Sequence, residues 1–150
     1  MPQSLSKIYI HIIFSTKLRQ PLIDKDIKDE LFDYIGGICR QLECIPLRVG
    51  GQSNHIHILC LLAKKIALVK LLEDIKRSSS KWIKTKGAQY SNFGWQDGYA
   101  AFSVSPSEIE HVIKYISNQD EHHKKRTFEE ECRVFFERNS MKYDERFVWD

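Results

Sequence analysis

The sequence predicts an α+β fold, a ferredoxin-like split βαβ arrangement with an antiparallel sheet and helices on one face. Three observations predict it. Strand-like and helix-like segments alternate in the order strand, helix, strand, strand, helix, strand, and two further helices close the chain. The second and third strand segments are so close in sequence that they read as a hairpin. The helical segments carry their apolar residues at helical spacing, as helices laid on a sheet do. Such a sheet would leave its other face free for a ligand.

Each element follows from its residues. "KIYIHIIFST" (7–16) is rich in β-branched and aromatic residues and reads as the first strand. After the turn "QPLID", Asp24 can cap a helix running to about Glu43, with Ile27, Leu31, Phe32, Ile35, Ile38 and Leu42 recurring at helical spacing. Gly36 and Gly37 weaken that helix internally. "CIPLRVGGQ" (44–52) and "NHIHILCLL" (54–62) form the hairpin, and Gly50 and Gly51 are expected to supply the angles of its turn. A second helix is expected from about Ile66 to Lys86, with Leu68, Leu71, Leu72, Ile75, Trp82 and Ile83 inward. "GAQYSNFGWQDG" reads as a loop and "YAAFSVS" as a short strand. Ser105, Pro106 and Glu108 make a helix start, and one helix is expected from Pro106 to about Lys125. Thr127 and Glu130 box the start of the last helix, "TFEEECRVFFERNS". With no repeat, low-complexity tract or linker, residues 1–150 read as one domain.

The bulk composition narrows the function less. Hydrophobic residues are 42% and charged residues 29%, which suits a globular chain rather than a disordered one. No apolar run approaches a membrane span and the start "MPQSLSKIYI" lacks the sections of a signal peptide, so a cytoplasmic protein with no membrane partner is expected. The four cysteines contain no CxxC pair, which argues against a disulfide framework or a zinc knuckle. A net charge of +3 announces no nucleic acid by itself. The stretch from Lys64 to Lys86 is locally basic, opposed only by Glu73 and Asp74. That suits a phosphate backbone, although a solvated helix face gives the same pattern.

The chemistry begins at His55 and His57. Two apart on a strand, they point to one face, and two imidazoles taken from water need partners. Paired this way they can hold a metal ion, but two ligands do not make a site. The candidate second segment is "HVIKYISNQDEHH" (111–123), where Tyr115 and Gln119 stand i and i+4 on a helix and His111 extends their stripe. Alone, that pair reads as a surface tyrosine beside an amide.

Five blocks together resemble one family. "IIFSTKLRQP", "NHIHIL", "IKRSSSKWI", "WQDGYAAFSVS" and "YISNQDEHHKKRTFEEE" occur in order over nearly the whole chain. They are similar to the insertion-sequence-200-like transposases, the single-tyrosine branch of the HUH nucleases (His, hydrophobic residue, His). The resemblance implies a single-stranded DNA transposase that cleaves and rejoins strands through a 5′-phosphotyrosine at hairpin-containing element ends. Tyr115 would be the nucleophile on a C-terminal catalytic-tyrosine helix. His55, His57 and Gln119 would hold a divalent metal, Mg²⁺ with Mn²⁺ able to substitute. The family implies a homodimer in which the tyrosine helix can complete the partner's site. Lys76, Arg77, Lys81 and Lys84 on the basic helix are the candidate phosphate contacts, and Lys17 and Arg19 a second set. Phe93, Trp95 and Tyr99 offer stacking surfaces or core packing. His11 is expected to be a core histidine, and Glu129, Glu130 and Glu131 to complement the helix dipole. No role falls to His122 or His123. Two alternatives stay open. One is a domesticated protein of the REP-associated type, or a hairpin-binding protein with a cellular role. The other is a metallohydrolase of small phosphoesters, which would not need a tyrosine.

Overall fold

Alternation along the two central strands decides what each side of the sheet carries. The computed structural model describes residues 2–150, the side chain of His122 excepted. Its elements are β1 (Tyr9–Ser15), α1 (Lys28–Gln41), β2 (Ile45–Gln52), β3 (His55–Leu61), α2 (Leu68–Lys84), β4 (Ala100–Val104), α3 (Ile109–Ser117), α4 (Gln119–His122) and α5 (Phe128–Arg138). The strands lie in the order β2-β3-β1-β4 and every neighbouring pair is antiparallel. This is the expected split βαβ sheet.

Ile10, Ile12 and Phe14 of β1 and Ile56, Ile58 and Cys60 of β3 turn to one face. There they pack with Leu31 and Ile35 of α1 and with Leu71 and Ile75 of α2. The intervening residues, Ile13 of β1 among them, turn to the other face. Ile13 joins Phe102 of β4 with Phe128, Cys132 and Phe136 of α5 in a second cluster. The second face is therefore not free. Residues 128, 132 and 136 recur every four positions, and that apolar stripe needs cover from water.

Local differences from the sequence reading have local causes. The Asp24 carboxylate accepts the backbone N–H groups of Asp26 and Ile27 at 3.1 Å each, so it caps a preliminary turn and the regular helix starts at Lys28. Ser53 and Asn54 make the hairpin turn, and the two glycines sit within β2. Gly51 has a φ of +150°, where a side chain would be strained. A Cβ on Gly50 would meet Ile116 Cγ2 at 2.7 Å and the Ile116 carbonyl oxygen at 3.0 Å, so this glycine lets α3 come down onto the sheet.

The expected long helix from Pro106 to Lys125 is divided. Pro106–Glu108 form a 3-10 turn with no side-chain cap from Ser105, and the helix breaks at Asn118 (φ −102°, ψ 28°) between α3 and α4. Just before the break the Ser117 hydroxyl donates to the Ile113 carbonyl at 2.8 Å, a competing bond that bends helices. At α5 the box forms as read: Thr127 accepts the Glu130 N–H at 3.2 Å.

Candidate active site

β3 places His55 and His57 on the face under α3 and α5, and β1 places His11 beside them. Neither imidazole of the pair has any exposed surface, and the two rings lie 5.1 Å apart. From one side the chain brings Tyr115 on α3, its ring 5.8 Å from that of His57, and Gln119 at the start of α4. From the other side α5 brings Glu131, 2% exposed. The break at Asn118 does not separate Tyr115 from Gln119: the Gln119 amide nitrogen lies 3.5 Å from the Tyr115 carbonyl.

Hydrogen bonds fix which atoms carry protons. His55 Nδ1 is 2.8 Å from Asn54 Oδ1, an atom that only accepts, so Nδ1 holds the proton. The lone pair of His55 Nε2 then faces Gln119 Oε1 at 3.0 Å. Two acceptors at that distance call for a positive group between them. His57 Nδ1 lies 2.8 Å from His11 Nε2, an arrangement that orients the ring as an outer partner does for a metal ligand. On its far side, His57 Nε2 stands 2.6 Å from Glu131 Oε1, and His123 Nε2 stands 2.7 Å from Oε2. These contacts are short. Yet the His57–Glu131 pair lacks good hydrogen-bond geometry, so its buried atoms are pressed together without being matched. The ligand atoms of His55, His57 and Glu131 lie within 4.8 Å of one another.

Burial sets the charges. It lowers His55 to about 3, with His57 adding to the effect, so the ring is neutral. His11 is driven well below the ordinary histidine value by burial and by His57. Burial pushes Glu131 upward, but the contacts with His123 and His57 outweigh it and hold the carboxyl well below its usual range. Burial, then the charge and hydrogen bond of Glu131, raise the Tyr115 phenol far above its ordinary value. One carboxylate and several inward lone pairs, short of positive charge, make a cluster suited to a cation.

The other sequence candidates scatter. α2 packs on the opposite face of the sheet from the histidines, so Lys76, Arg77, Lys81 and Lys84 lie across the sheet from them. Lys76 is held by the carbonyls of Gln96, Asp97 and Gly98 at 2.9, 3.1 and 2.7 Å, and burial lowers it to about 8. Arg77 pairs with Asp74 at 3.0 Å, and Lys81 and Lys84 are exposed. Lys17 is exposed, whereas Arg19 pairs with Glu129 of α5 at 2.7 Å. Phe93 and Trp95 are core residues, and Tyr99 is exposed.

Glu131 is the residue that sequence reasoning missed. Glu130 serves the helix cap and Glu129 meets Arg19, but Glu131 turns inward. The available signal was a carboxylate standing within the stripe of Phe128, Cys132 and Phe135. His11 and His123 are likewise drawn to the site, through His57 and through Gln119 and Glu131.

A split βαβ sheet that sets a His-Ile-His strand beneath a helix-borne tyrosine has the architecture of the single-tyrosine HUH class. The chain belongs to the IS200-like transposase family, whose model, described as "Transposase IS200 like", matches residues 4–119. That makes it, at the level of its family, a DNA-cleaving transposase. ISDra2 transposase TnpA of Deinococcus radiodurans is 24% identical over 116 residues, which cover 73% of this chain and 81% of that protein. A crystal structure assigned as a transposase from Deinococcus radiodurans R1 matches with a TM-score of 0.61 and 20% identity over 79% of this chain and 98% of that one. A REP-associated tyrosine transposase bound to a REP hairpin matches with a TM-score of 0.58 and 14% identity, over 82% of this chain and 73% of that one. These structural likenesses share the fold. Among the described residues no helix is long and apolar enough to cross a membrane.

Proposed function

We propose that the chain cuts and rejoins single-stranded DNA through a 5′-phosphotyrosine at Tyr115. A divalent cation would be held by His55, His57 and Gln119, with Glu131 as a fourth donor. The observation that carries this reading is the acceptor facing an acceptor, His55 Nε2 at 3.0 Å from Gln119 Oε1, beside the ill-matched contact of His57 with Glu131. The two oxygen donors suit Mg²⁺ or Mn²⁺, while the two imidazoles make the set softer than an all-oxygen Mg²⁺ site. When bound, the ion would polarise the scissile phosphate and offset its charge.

The remaining work belongs to the chain. The Tyr115 oxygen attacks phosphorus, and its proton passes to the Glu131 carboxylate to which it is hydrogen bonded. The bond from phosphorus to the 3′-oxygen breaks, and that oxygen takes a proton from water and leaves as a hydroxyl. The ester stores the bond, so a new 3′-hydroxyl can reverse the step without ATP.

The seam between α3 and α5 would be the route for the strand. Because both imidazoles are fully buried, DNA reaches them by parting the two helices. Arg19 and the basic loop Lys124, Lys125 and Arg126 at the α5 end would contact phosphates. The REP-hairpin complex among the structural neighbours supports hairpin-bearing DNA as substrate. It also favours, as a second reading, a REP-associated type of transposase in a cellular role with the same chemistry.

The test is denaturing electrophoresis of labelled single-stranded DNA from the ends of the element. The wild-type chain should give a covalent adduct. Tyr115→Phe should give neither adduct nor cleavage while melting at an unchanged temperature. An adduct from Tyr115→Phe would move the nucleophile elsewhere.

A further inference from the structure

Beside Tyr115 lies a cavity of about 270 Å³ that the proposed chemistry leaves unused. β4, the first turns of α3 and the last turn of α5 enclose it. Tyr115 and His11 contribute its inner wall. Phe102 and Phe135 floor it with rings stacked 5.5 Å apart and 21° from parallel. At the rim stand Glu108, His111 and Arg138, whose side chains make no hydrogen bond or ion pair among the described residues.

We propose that this cavity takes one unpaired nucleobase of the strand being cut, the base next to the scissile phosphate. The inference rests on the transesterase reading above and adds a specificity site to it. A phosphate within reach of Tyr115 carries a nucleoside on each side, and a hollow lies at each end of α5 to receive them. The end at the start of α5 is lined by Lys124, Lys125 and Arg126, which suits backbone phosphates. The end at Phe135 is floored by aromatic rings, which suits the face of a base. Unstacked bases of single strands bind in this way, on aromatic platforms with polar groups at their edges. Arg138 can only donate and Glu108, when ionised, can only accept, so together they distinguish base edges that present acceptors from those that present donors.

The experiment measures single-turnover adduct formation on a set of single-stranded oligonucleotides. Each carries A, C, G, T or an abasic site at one position flanking the mapped cut, and each is tested with wild type, Arg138→Ala and Phe135→Leu. At one flanking position the abasic substitution should slow the wild-type adduct by about tenfold, on the order of the loss of one base–aromatic stack. Arg138→Ala should level the rates among the four bases there, and Phe135→Leu should shrink the abasic effect. Wild-type rates indifferent to every flanking base would overturn the subsite and leave the transesterase reading intact. So would a base preference unchanged in both variants. A wild-type chain that forms no adduct on any strand would remove the transesterase reading, and the subsite with it.

Discussion

At the scale of single residues, the site is governed by what sits behind its proposed ligands. Asn54 holds the proton on the outer nitrogen of His55, and His11 does the equivalent for the orientation of His57. Neither would touch the ion or the DNA. Outer partners of this kind are worth about 10–100-fold in metal affinity. Asn54→Ala should therefore weaken Mn²⁺ binding by that order, read by titration calorimetry, while Asn54→Asp, which still accepts, should keep it. Glu131→Gln retains the shape but removes the anionic donor, and should weaken binding as well. Equal affinity in wild type, Asn54→Ala and Glu131→Gln would place the ion elsewhere. The same ion offers a stability readout. At a concentration about 100 times its dissociation constant it should stabilise the fold by about 2.7 kcal/mol. His57→Ala should abolish that gain, seen as a melting temperature that no longer responds to Mn²⁺.

At the scale of elements, Gly50 shows how a sheet seats the helix that carries the proposed nucleophile. The obstacle to a side chain there includes the backbone carbonyl of Ile116, which has no rotamer to change. Gly50→Ala should lift α3 from β2, at a cost on the order of 1–3 kcal/mol from overpacking. Tyr115 lies one residue before Ile116, so adduct formation should fall by more than tenfold even where the variant stays folded, because small misplacements of reacting groups are costly. A folded variant with the wild-type rate would show that α3 is not held by this contact.

Elements also explain what could be read beforehand. The strand alternation of β1 and β3 was legible because period-two burial is a local property, and it correctly set His55 and His57 on one face. The break at Asn118 was hidden, since it follows from a serine bond and from packing rather than from a glycine or proline. Glu131 was hidden because an N-terminal carboxylate on a helix already has a local explanation. Its true partners, His57 and His123, are distant or on another element. The seat of Lys76 was hidden for the same reason, its ammonium being bound by loop carbonyls some twenty residues on.

At the scale of the whole molecule, the question is whether one chain holds a complete site. The family resemblance allows the tyrosine helix to serve a partner subunit. In this structure the Tyr115 and His57 rings of the same chain lie 5.8 Å apart, and Gln119 reaches His55 of its own chain at 3.0 Å. Gly50 seats α3 directly against β2 of the same sheet. Two inactive variants therefore should not repair each other. Tyr115→Phe keeps its histidines but has no nucleophile, and His57→Ala keeps its nucleophile but has an incomplete cation site. If each site is built from one chain, mixing the two variants leaves every site with one defect. If α3 exchanges between copies, a mixed dimer assembles one intact site from the tyrosine of one chain and the histidines of the other. Co-refolding the variants in equal amounts and running the labelled-strand assay separates the two cases. We expect no adduct above the level of either variant alone. An adduct in the mixture would mean that α3 is exchanged between subunits in the working enzyme, and that the arrangement within one chain is its resting state.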